Sequence, residues 1–218
     1  MHVDRPASRK FARMNRQQKH ERHIIQFIPH APCVLYDIGV GWKSEWRTLR
    51  EVWPEMKVFG CEPNPATHAH LAPAFPGPLH PVAITGSPGP QILHTFPPGS
   101  HPNQLGSSSL FAVPDATGPA VPVECLTLDE FDRRCGQPDG ILLWMDVEGS
   151  EADALRSGPE LLASGCVRWI NLEVWPRPRI PGWASAAEIH DLLSQYGFVR
   201  RCKYADCGDH HDVIYLRP

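Results

Sequence analysis

An apolar run of five residues, Ile141–Met145, leads directly into an acidic turn and then into an amphipathic stretch. A continuously apolar strand is typical of a parallel sheet that is covered on both faces. Asp146 falls where this strand leaves the sheet, and Glu148 and Glu151 follow shortly after it. Ligands of open α/β sheets bind at this carboxyl edge. The segment therefore predicts a wound parallel sheet with a functional site at its edge.

The distribution of proline indicates how the rest of the chain is organised. Many of the 24 prolines crowd between Pro73 and Pro122, where no helix of ordinary length fits. Before and after this stretch, strand-like and helix-like segments alternate, as in an α/β protein with a parallel sheet. The 218 residues are 42% hydrophobic, which suffices for one large core. We therefore expect one α/β domain over residues 31–218, preceded by a basic lead-in helix over residues 1–30.

Charge and hydropathy restrict the classes of partner. The lead-in is rich in arginine and lysine, yet the whole chain has a net charge of -3. A solvated helix explains this segment better than an arm that binds nucleic acid or anionic lipid, so no nucleic-acid partner is expected. No apolar run approaches the roughly 20 residues that span a bilayer, and the N-terminus lacks the apolar core of a secretory signal. The sequence thus predicts a cytoplasmic protein without a membrane partner.

The seven cysteines form no CxxC pair, and several lie within apolar strand patterns. Buried reduced thiols are the expected state. Cys202 and Cys207 lie close to His210 and His211, but their spacing matches no zinc-site pattern. We therefore expect a polar hairpin loop there and no metal site.

Hydrophobic periodicity and capping signals place the individual elements. Strands are predicted at Cys33–Ile38, Lys57–Cys61, Leu79–Ile84, Ile141–Met145 and Cys166–Val174, with extended pieces at Gln91–Phe96 and Pro119–Cys125. Helices are predicted at Ser44–Trp53, Asn64–Leu71, Thr127–Arg134, Ser150–Ser157 and Ser185–Tyr196. Asn64 is a candidate cap, and Thr127 with Glu130 forms a candidate capping box. A closing antiparallel pair is predicted from Gly197–Tyr204 and Val213–Leu216.

A glycine turn follows the first predicted strand, with the pattern Asp37-x-Gly39-x-Gly41. Glycines let the backbone pass close to a ligand, and the following helix offers unpaired N–H groups. A dinucleotide fold would need a third glycine, and the preceding acid would repel a pyrophosphate. The acid suits a ligand with an ammonium group and no phosphate, such as S-adenosylmethionine, although a simple tight turn would have the same pattern.

An acid, Glu62, stands at the end of the second predicted strand. An acid about 20 residues after a glycine turn is placed to accept hydrogen bonds from both ribose hydroxyls of an adenine nucleoside. Its alternative interpretation is a solvent-facing strand end before the turn Pro63–Pro65. Together with Asp37, it favours a nucleoside site.

Seven segments in this order resemble the FkbM family of S-adenosylmethionine-dependent methyltransferases. They are DIGVG, FGCEPNP, HPVAITG, GSSSL, VECLTLDEF, LLWMDVEGSEADALRSG and WINLEVW, which span roughly Val34 to the C-terminus. The apolar strand followed by Asp-x-Glu-Gly and a further acid is the most specific of them. The resemblance implies a Rossmann-like class I methyltransferase fold, with a mostly parallel seven-stranded sheet and an antiparallel last strand. It also implies O-methylation of a hydroxyl on a sugar, polyketide or other small-molecule acceptor.

The resemblance further implies which residues bind S-adenosylmethionine. They are Asp37, Gly39, Gly41, Glu62, Pro63, Val82, Ala83, Ser107 and Ser108. One departure concerns the first turn, which in the family usually runs Asp-x-Gly-Ala-Asn-x-Gly. Here Gly41 replaces the asparagine and Lys43 replaces the last glycine. The lysine adds positive charge at the positive end of a helix, so weaker cofactor binding is expected unless its side chain points outward.

Methyl transfer from a sulfonium is an in-line displacement, so an enzyme must align an oxygen nucleophile and accept its proton. Asp146 is the first candidate for this base, Glu148 the second and His101 the third. Glu148 is equally interpretable as a favourable charge at a helix N-terminus, and for Glu151 this is the preferred interpretation. A carboxylate-bound metal ranks below metal-free transfer, because alternate strand residues point to opposite faces.

Two other functions remain open at the level of sequence. A methyltransferase-like domain could bind a nucleoside or a protein partner without catalysis, which Lys43 and the missing asparagine favour. A nicotinamide-dependent oxidoreductase is disfavoured by the glycine pattern. The acceptor itself is expected to be selected by the proline-rich middle and by the segment Pro176–Trp183.

Overall fold

The computed structural model describes residues 22, 24–41, 45–96, 108–114, 116–204 and 210–218. Its strands are β1 (Val34–Ile38), β2 (Lys57–Cys61), β3 (Leu79–His80), β4 (Val82–Ile84), β5 (Gly89–Thr95), β6 (Ser108–Ser109), β7 (Ala120–Leu126), β8 (Ile141–Met145), β9 (Val167–Val174), β10 (Val199–Tyr204) and β11 (His211–Leu216). Its helices are α1 (Glu45–Val52), α2 (Pro65–Leu71), α3 (Leu128–Arg134), α4 (Glu151–Arg156), α5 (Pro159–Ser164) and α6 (Ala186–Gln195).

Seven strands form the main sheet in the order β10-β11-β9-β8-β1-β2-β3. Strands β3, β2, β1, β8 and β9 run parallel, and β11 runs antiparallel to both β9 and β10. The predicted mostly parallel seven-stranded sheet with an antiparallel last strand is therefore confirmed.

The register at the centre of this sheet fixes the position of the site. Ile38 at the end of β1 pairs with Cys61 of β2 on one side and with Met145 of β8 on the other. Three strands therefore end at the same level, and the residues that follow them emerge side by side. These residues are Gly39, Glu62 and Asp146, the ones that the sequence predicts for the functional edge.

A second sheet of four strands, in the order β4-β7-β5-β6, was not predicted from the sequence. The single strand predicted at Leu79–Ile84 is wrong, because the chain leaves the main sheet at Pro81. β3 pairs with β2, whereas β4 pairs with β7 in the other sheet. Proline has no N–H to donate to a ladder, which explains why the strand breaks there.

Hydrophobic residues cover both faces of the main sheet. Leu143 and Met145 of β8 belong to one buried cluster, while Leu142 and Trp144 belong to another. Alternate residues of a strand point to opposite faces, so the continuous apolar run reflects two-sided burial. Ile24 and Ile28, which fall within the predicted lead-in 1–30, are buried in the second cluster. Most of that lead-in lies outside the described residues.

Local capping explains where several helices begin. The Asn64 side chain accepts the N–H of Ala66, and Thr127 with Glu130 forms a capping box, as predicted. The helix predicted at Ser150–Ser157 is confirmed as α4, and a further short helix, α5, begins at Pro159. Within the described part of the chain, no helix combines the length and the apolar character needed to cross a bilayer.

Candidate active site

A cleft opens at the carboxyl edge of the main sheet, where β1, β2 and β8 end. It holds about 480 Å³ of empty space, open solvent at its mouth included. Its described lining residues are Gly39, Cys61, Glu62, Pro63, Ala83, Ile84, Leu93, Ser108, Leu110, Asp146, Val147, Glu148 and Ser150. Three of these are carboxylic acids, and none of the described lining residues is lysine, arginine or histidine. The described lining of the cleft therefore combines three acids with mostly apolar residues.

Gly39 brings the turn after β1 against the turn after β8. Its φ is +79°, and a Cβ at this position would lie 2.1 Å from the carbonyl oxygen of Asp146. The Asp146 N–H donates to the carbonyl oxygen of Ile38 at 3.0 Å. Only glycine permits both this backbone conformation and this approach.

Glu62 ties the glycine turn to the end of β2. One carboxylate oxygen accepts the N–H of Gly41 at 2.9 Å, and the other accepts the N–H of Asn64 at 2.8 Å. The residue is only 4% exposed. Burial raises the pKa of Glu62 to about 7. The two N–H groups lower this pKa, and the nearby charge of Asp146 raises it. Glu62 is therefore a structural part of the edge as well as part of the cleft wall.

The acidic turn after β8 carries Asp146 and Glu148 into the cleft. Glu148 has a φ of +49°, in the left-handed region, so the strand alternation that would separate the two carboxylates does not apply. Both residues line the same cleft. Among the described residues, no group of three or more His, Cys, Asp or Glu side chains is placed to hold a metal ion.

Glu151 is the residue of this region whose role the sequence pattern does not reveal. It is 3% exposed, and one of its carboxylate oxygens accepts the N–H groups of Val147 at 3.2 Å and Gly149 at 3.3 Å. Burial raises its pKa to about 8, with a further increase from Asp146. A charge placed to complement a helix N-terminus would not require such burial.

The second sheet supplies one wall of the cleft. Ala83, Leu93 and Ser108 come from β4, β5 and β6 respectively. The Ser108 hydroxyl accepts a hydrogen bond from the Asn64 amide at 3.1 Å, and the Ser109 hydroxyl donates to the carbonyl oxygen of Glu148 at 2.8 Å. The second sheet is therefore joined to the edges of both β2 and β8.

The predicted cofactor residues divide into three groups. Gly39, Glu62, Pro63, Ala83 and Ser108 line the cleft, as do the predicted catalytic residues Asp146 and Glu148. Asp37, Gly41 and Val82 do not line it: Asp37 and Val82 are buried, and Gly41 contacts Glu62 through its N–H. Ser107, His101 and Lys43 lie outside the described residues.

Sequence reasoning missed six lining residues, namely Cys61, Ile84, Leu93, Leu110, Val147 and Ser150. Cys61, Val147 and Ser150 lie close in the chain to the predicted acids, so the strand ends already indicated their position. Leu93 carried no such signal, because its place in the cleft depends on the second sheet.

The segment that was expected to select the acceptor lies against the acidic turn. The Trp175 and Trp183 rings are 5.2 Å apart in an edge-to-face arrangement, and both residues are buried. A Cβ on Gly149 would lie 1.9 Å from the Trp183 indole, so this ring covers the turn directly. Neither tryptophan lines the cleft, and selection of the acceptor by this segment stays a prediction.

Comparison with known proteins gives a family match over most of the chain. The methyltransferase FkbM domain matches residues 33–200. The chain is also similar to the 2-O-methyltransferase NoeI of Sinorhizobium fredii, with 26% identity over 205 residues, which cover 88% of this chain and 83% of the relative.

Solved methyltransferase structures are similar at lower identity. The magnesium protoporphyrin IX methyltransferase ChlM from Synechocystis PCC 6803 shares 12% identity, with 92% of this chain and 79% of that chain covered and a TM-score of 0.48. Fibrillarin from Aeropyrum pernix shares 13%, with 86% and 67% covered and a TM-score of 0.47. The family match covers the central strands, the acidic turn and the cleft, and confirms the resemblance predicted from the sequence. This chain belongs to the FkbM family of S-adenosylmethionine-dependent methyltransferases.

Proposed function

We propose that the protein transfers a methyl group from S-adenosylmethionine to a hydroxyl oxygen of a small-molecule acceptor, such as a sugar or a polyketide. The observation that carries this proposal is the cleft that Glu62, Asp146 and Glu148 all line, with no basic residue among its described lining residues. Such a cleft favours a ligand that carries positive charge and disfavours a phosphate group. The 2-O-methyltransferase relative supports an oxygen acceptor.

The residues of the cleft fit the chemistry of the cofactor. A carboxylate offers about four lone-pair sites, and Glu62 uses one on each oxygen for the N–H groups of Gly41 and Asn64. Each oxygen can therefore accept one more hydrogen bond, which suits the two hydroxyls of a ribose. Ala83, together with Ile84 and Leu93, offers an apolar wall for an adenine ring. We assign Gly39, Pro63 and Ser108 to the same binding surface, and Asp37, Gly41 and Val82 to its support.

The protein's part in the reaction is to orient the acceptor and to accept its proton. S-adenosylmethionine supplies a methyl group on a sulfonium when it is bound. We assign Asp146 as the base because it emerges at the centre of the sheet edge, beside Gly39 and Glu62. Glu148 is the second candidate, since it lines the same cleft. A positioned base contributes roughly 10²- to 10⁴-fold to such a transfer.

The test combines binding with turnover. Titration with S-adenosylhomocysteine should show saturable binding, and a panel of sugar and phenol acceptors should identify a substrate whose methylation is followed by mass spectrometry. Asp146→Asn should then lower kcat by about 10²- to 10⁴-fold. The Kd of this variant for S-adenosylhomocysteine should stay within about threefold of the wild-type value. Full turnover in this variant would remove Asp146 from the mechanism.

The alternative function is a domain that binds a nucleoside or a protein partner without catalysis. Gly41, which stands in place of the family's usual asparagine, favours it. Binding of S-adenosylhomocysteine without turnover on any acceptor would support this alternative, whereas failure to bind either S-adenosylmethionine or S-adenosylhomocysteine would contradict the enzyme proposal.

We also propose a cytoplasmic location. Five cysteines among the described residues are free thiols: Cys33, Cys61, Cys125, Cys135 and Cys166. Free thiols are typical of a reducing compartment. Location of a fluorescent fusion, with cell fractionation as a control, tests this proposal.

A further inference from the structure

Glu151 lies behind the acidic turn rather than at a solvent-exposed helix end. Its side chain contacts the turn through one oxygen, which accepts the N–H groups of both Val147 and Gly149. The residue does not line the cleft, although both neighbours of Gly149 do. The carboxylate therefore acts on the backbone that carries the cleft residues and has no direct place in the cleft.

Ordinary helix capping does not account for this arrangement. Ser150 occupies the N-cap position of α4, yet its side chain makes no capping hydrogen bond. An acid in the first turn of a helix usually stays near the surface and complements the free N–H groups of that helix. Besides interacting with its own N–H, the Glu151 carboxylate accepts from two residues that precede the helix. Its bonds therefore fix the turn itself.

The turn needs such support because its conformation is unfavourable for a residue with a side chain. Glu148 has a φ of +49°, in the left-handed region that only glycine adopts without strain. Other contacts hold the turn from different sides: Gly39 packs against the Asp146 carbonyl, Ser109 donates to the Glu148 carbonyl, and the Trp183 indole covers Gly149. Glu151 is the contact that takes up the N–H groups of Val147 and Gly149.

We propose that Glu151 is a positioning residue: by accepting the N–H groups of Val147 and Gly149, it holds Asp146 and Glu148 in the orientation that methyl transfer requires. The effect on methyl transfer rests on the function proposed above. The effect of Glu151 on the conformation of the turn can be measured without any ligand. A misplacement of about 1 Å in a reacting group can lower a rate about 10²-fold. Loss of Glu151 should therefore affect kcat far more than cofactor binding.

Three variants at this position separate the possible roles. Glu151→Ala removes the acceptor, and Glu151→Asp keeps the charge on a side chain too short to reach both N–H groups. Glu151→Gln keeps an oxygen that can accept both N–H groups, because the native contact uses a single oxygen. If Glu151→Ala does not fold, Glu151→Asp takes its place in the comparison.

Asp129 provides a matched control away from the cleft. It is also buried, and its carboxylate accepts the N–H groups of Glu160 and Leu161 at 3.1 and 2.9 Å at the start of α5. Asp129→Ala therefore removes the same kind of contact from another part of the fold. It should lower Tm without changing kcat per folded molecule.

The first readout is amide hydrogen exchange of residues 146–150 in the protein without ligand. We expect Glu151→Ala and Glu151→Asp to speed this exchange by about tenfold or more, as in a locally loosened segment. Glu151→Gln should exchange at close to the wild-type rate. In Asp129→Ala the faster exchange should appear at residues 160–161 instead. Wild-type exchange at residues 146–150 in Glu151→Ala would overturn the inference.

The second readout is kinetic, with the acceptor that the panel identifies. Glu151→Ala should lower kcat by about 10- to 100-fold with the Kd for S-adenosylhomocysteine unchanged within about threefold. Glu151→Gln should recover at least about a third of wild-type kcat, since its oxygen replaces the acceptor. A Glu151→Gln variant as impaired as Glu151→Ala, or an equal loss of kcat in Asp129→Ala, would overturn the positioning role. If the wild-type protein binds no S-adenosylhomocysteine, the proposed function fails while the exchange experiment still decides whether Glu151 holds the turn.

Discussion

Two turns at the carboxyl edge of the main sheet are built alike but differ in what their carboxylate faces. The turn after β1 is held by Glu62 from the end of β2, which accepts the N–H groups of Gly41 in that turn and of Asn64, one on each oxygen, and lines the cleft. In the turn after β8, Glu151 accepts two backbone N–H groups on one oxygen and lies behind the cleft wall. Glu62 therefore has acceptor sites that face a ligand, whereas Glu151 contacts only the protein backbone behind the cleft.

The two turns also depend on each other, because Gly39 of the first packs against the Asp146 carbonyl of the second. Gly39→Ala should lower the free energy of unfolding by about 3 kcal/mol or more, since both a backbone contact and a left-handed φ are disturbed. Gly41→Ala is the matched control: its φ is +53°, and among the described residues a Cβ there would meet no atom closer than 3.9 Å. It should cost about 1 kcal/mol, the strain of the left-handed region alone. Urea unfolding measures both values, and equal losses would show that the two turns are not coupled through Gly39.

The two turns also differ in how far the sequence predicts them. The β8 strand was predicted with its observed bounds, because burial on both faces leaves a continuous apolar run. Glu62 was found because its place follows from strand order and spacing. Glu151 was missed because an acid in the first turn of a helix has the same sequence pattern whether it complements the helix dipole or holds a preceding turn.

The switch of sheet at Pro81 was missed for a different reason. Whether the chain continues in the main sheet depends on a partner strand, β7, that lies about 40 residues further on. Local patterns contain no information about such pairing, so the contribution of Leu93 to the cleft could not be predicted either. What the sequence predicts well is the set of strand ends, and what it misses are contacts between distant segments.

Both buried carboxylates should make stability depend on pH, but over different ranges. Their pKa values are raised from 4.5 to about 7 for Glu62 and about 8 for Glu151. Between pH 4.5 and these values the folded state binds more protons than the unfolded state, so stability falls as pH rises. The contribution is fully present below about pH 4.5, and stability changes by at most about 1.4 kcal/mol per pH unit for each carboxyl.

Replacement by glutamine removes each contribution separately. Glu62→Gln should flatten the dependence up to about pH 7, and Glu151→Gln up to about pH 8. Glu130→Gln is the control, because hydrogen bonds from Thr127 lower the pKa of Glu130, so its contribution changes only below about pH 4.5 and this variant should keep the wild-type slope. Urea unfolding between pH 5 and pH 8.5 measures these slopes. Slopes parallel to the wild type in both buried variants would show that these carboxyls do not titrate in that range.

Cofactor binding should distinguish the two acids most directly. Glu62 uses both oxygens, so Glu62→Gln must place an NH₂ group against one backbone N–H and loses an acceptor for a ribose hydroxyl. We expect its Kd for S-adenosylhomocysteine to rise about tenfold, which corresponds to roughly 1.4 kcal/mol. Glu151→Gln should bind within about threefold of the wild type, because it does not line the cleft. Isothermal titration calorimetry at pH 7.5 measures both values. If Glu151→Gln lost as much affinity as Glu62→Gln, the acidic turn would take part in cofactor binding, and the distinction between a carboxylate that faces the ligand and one that faces the chain would fail.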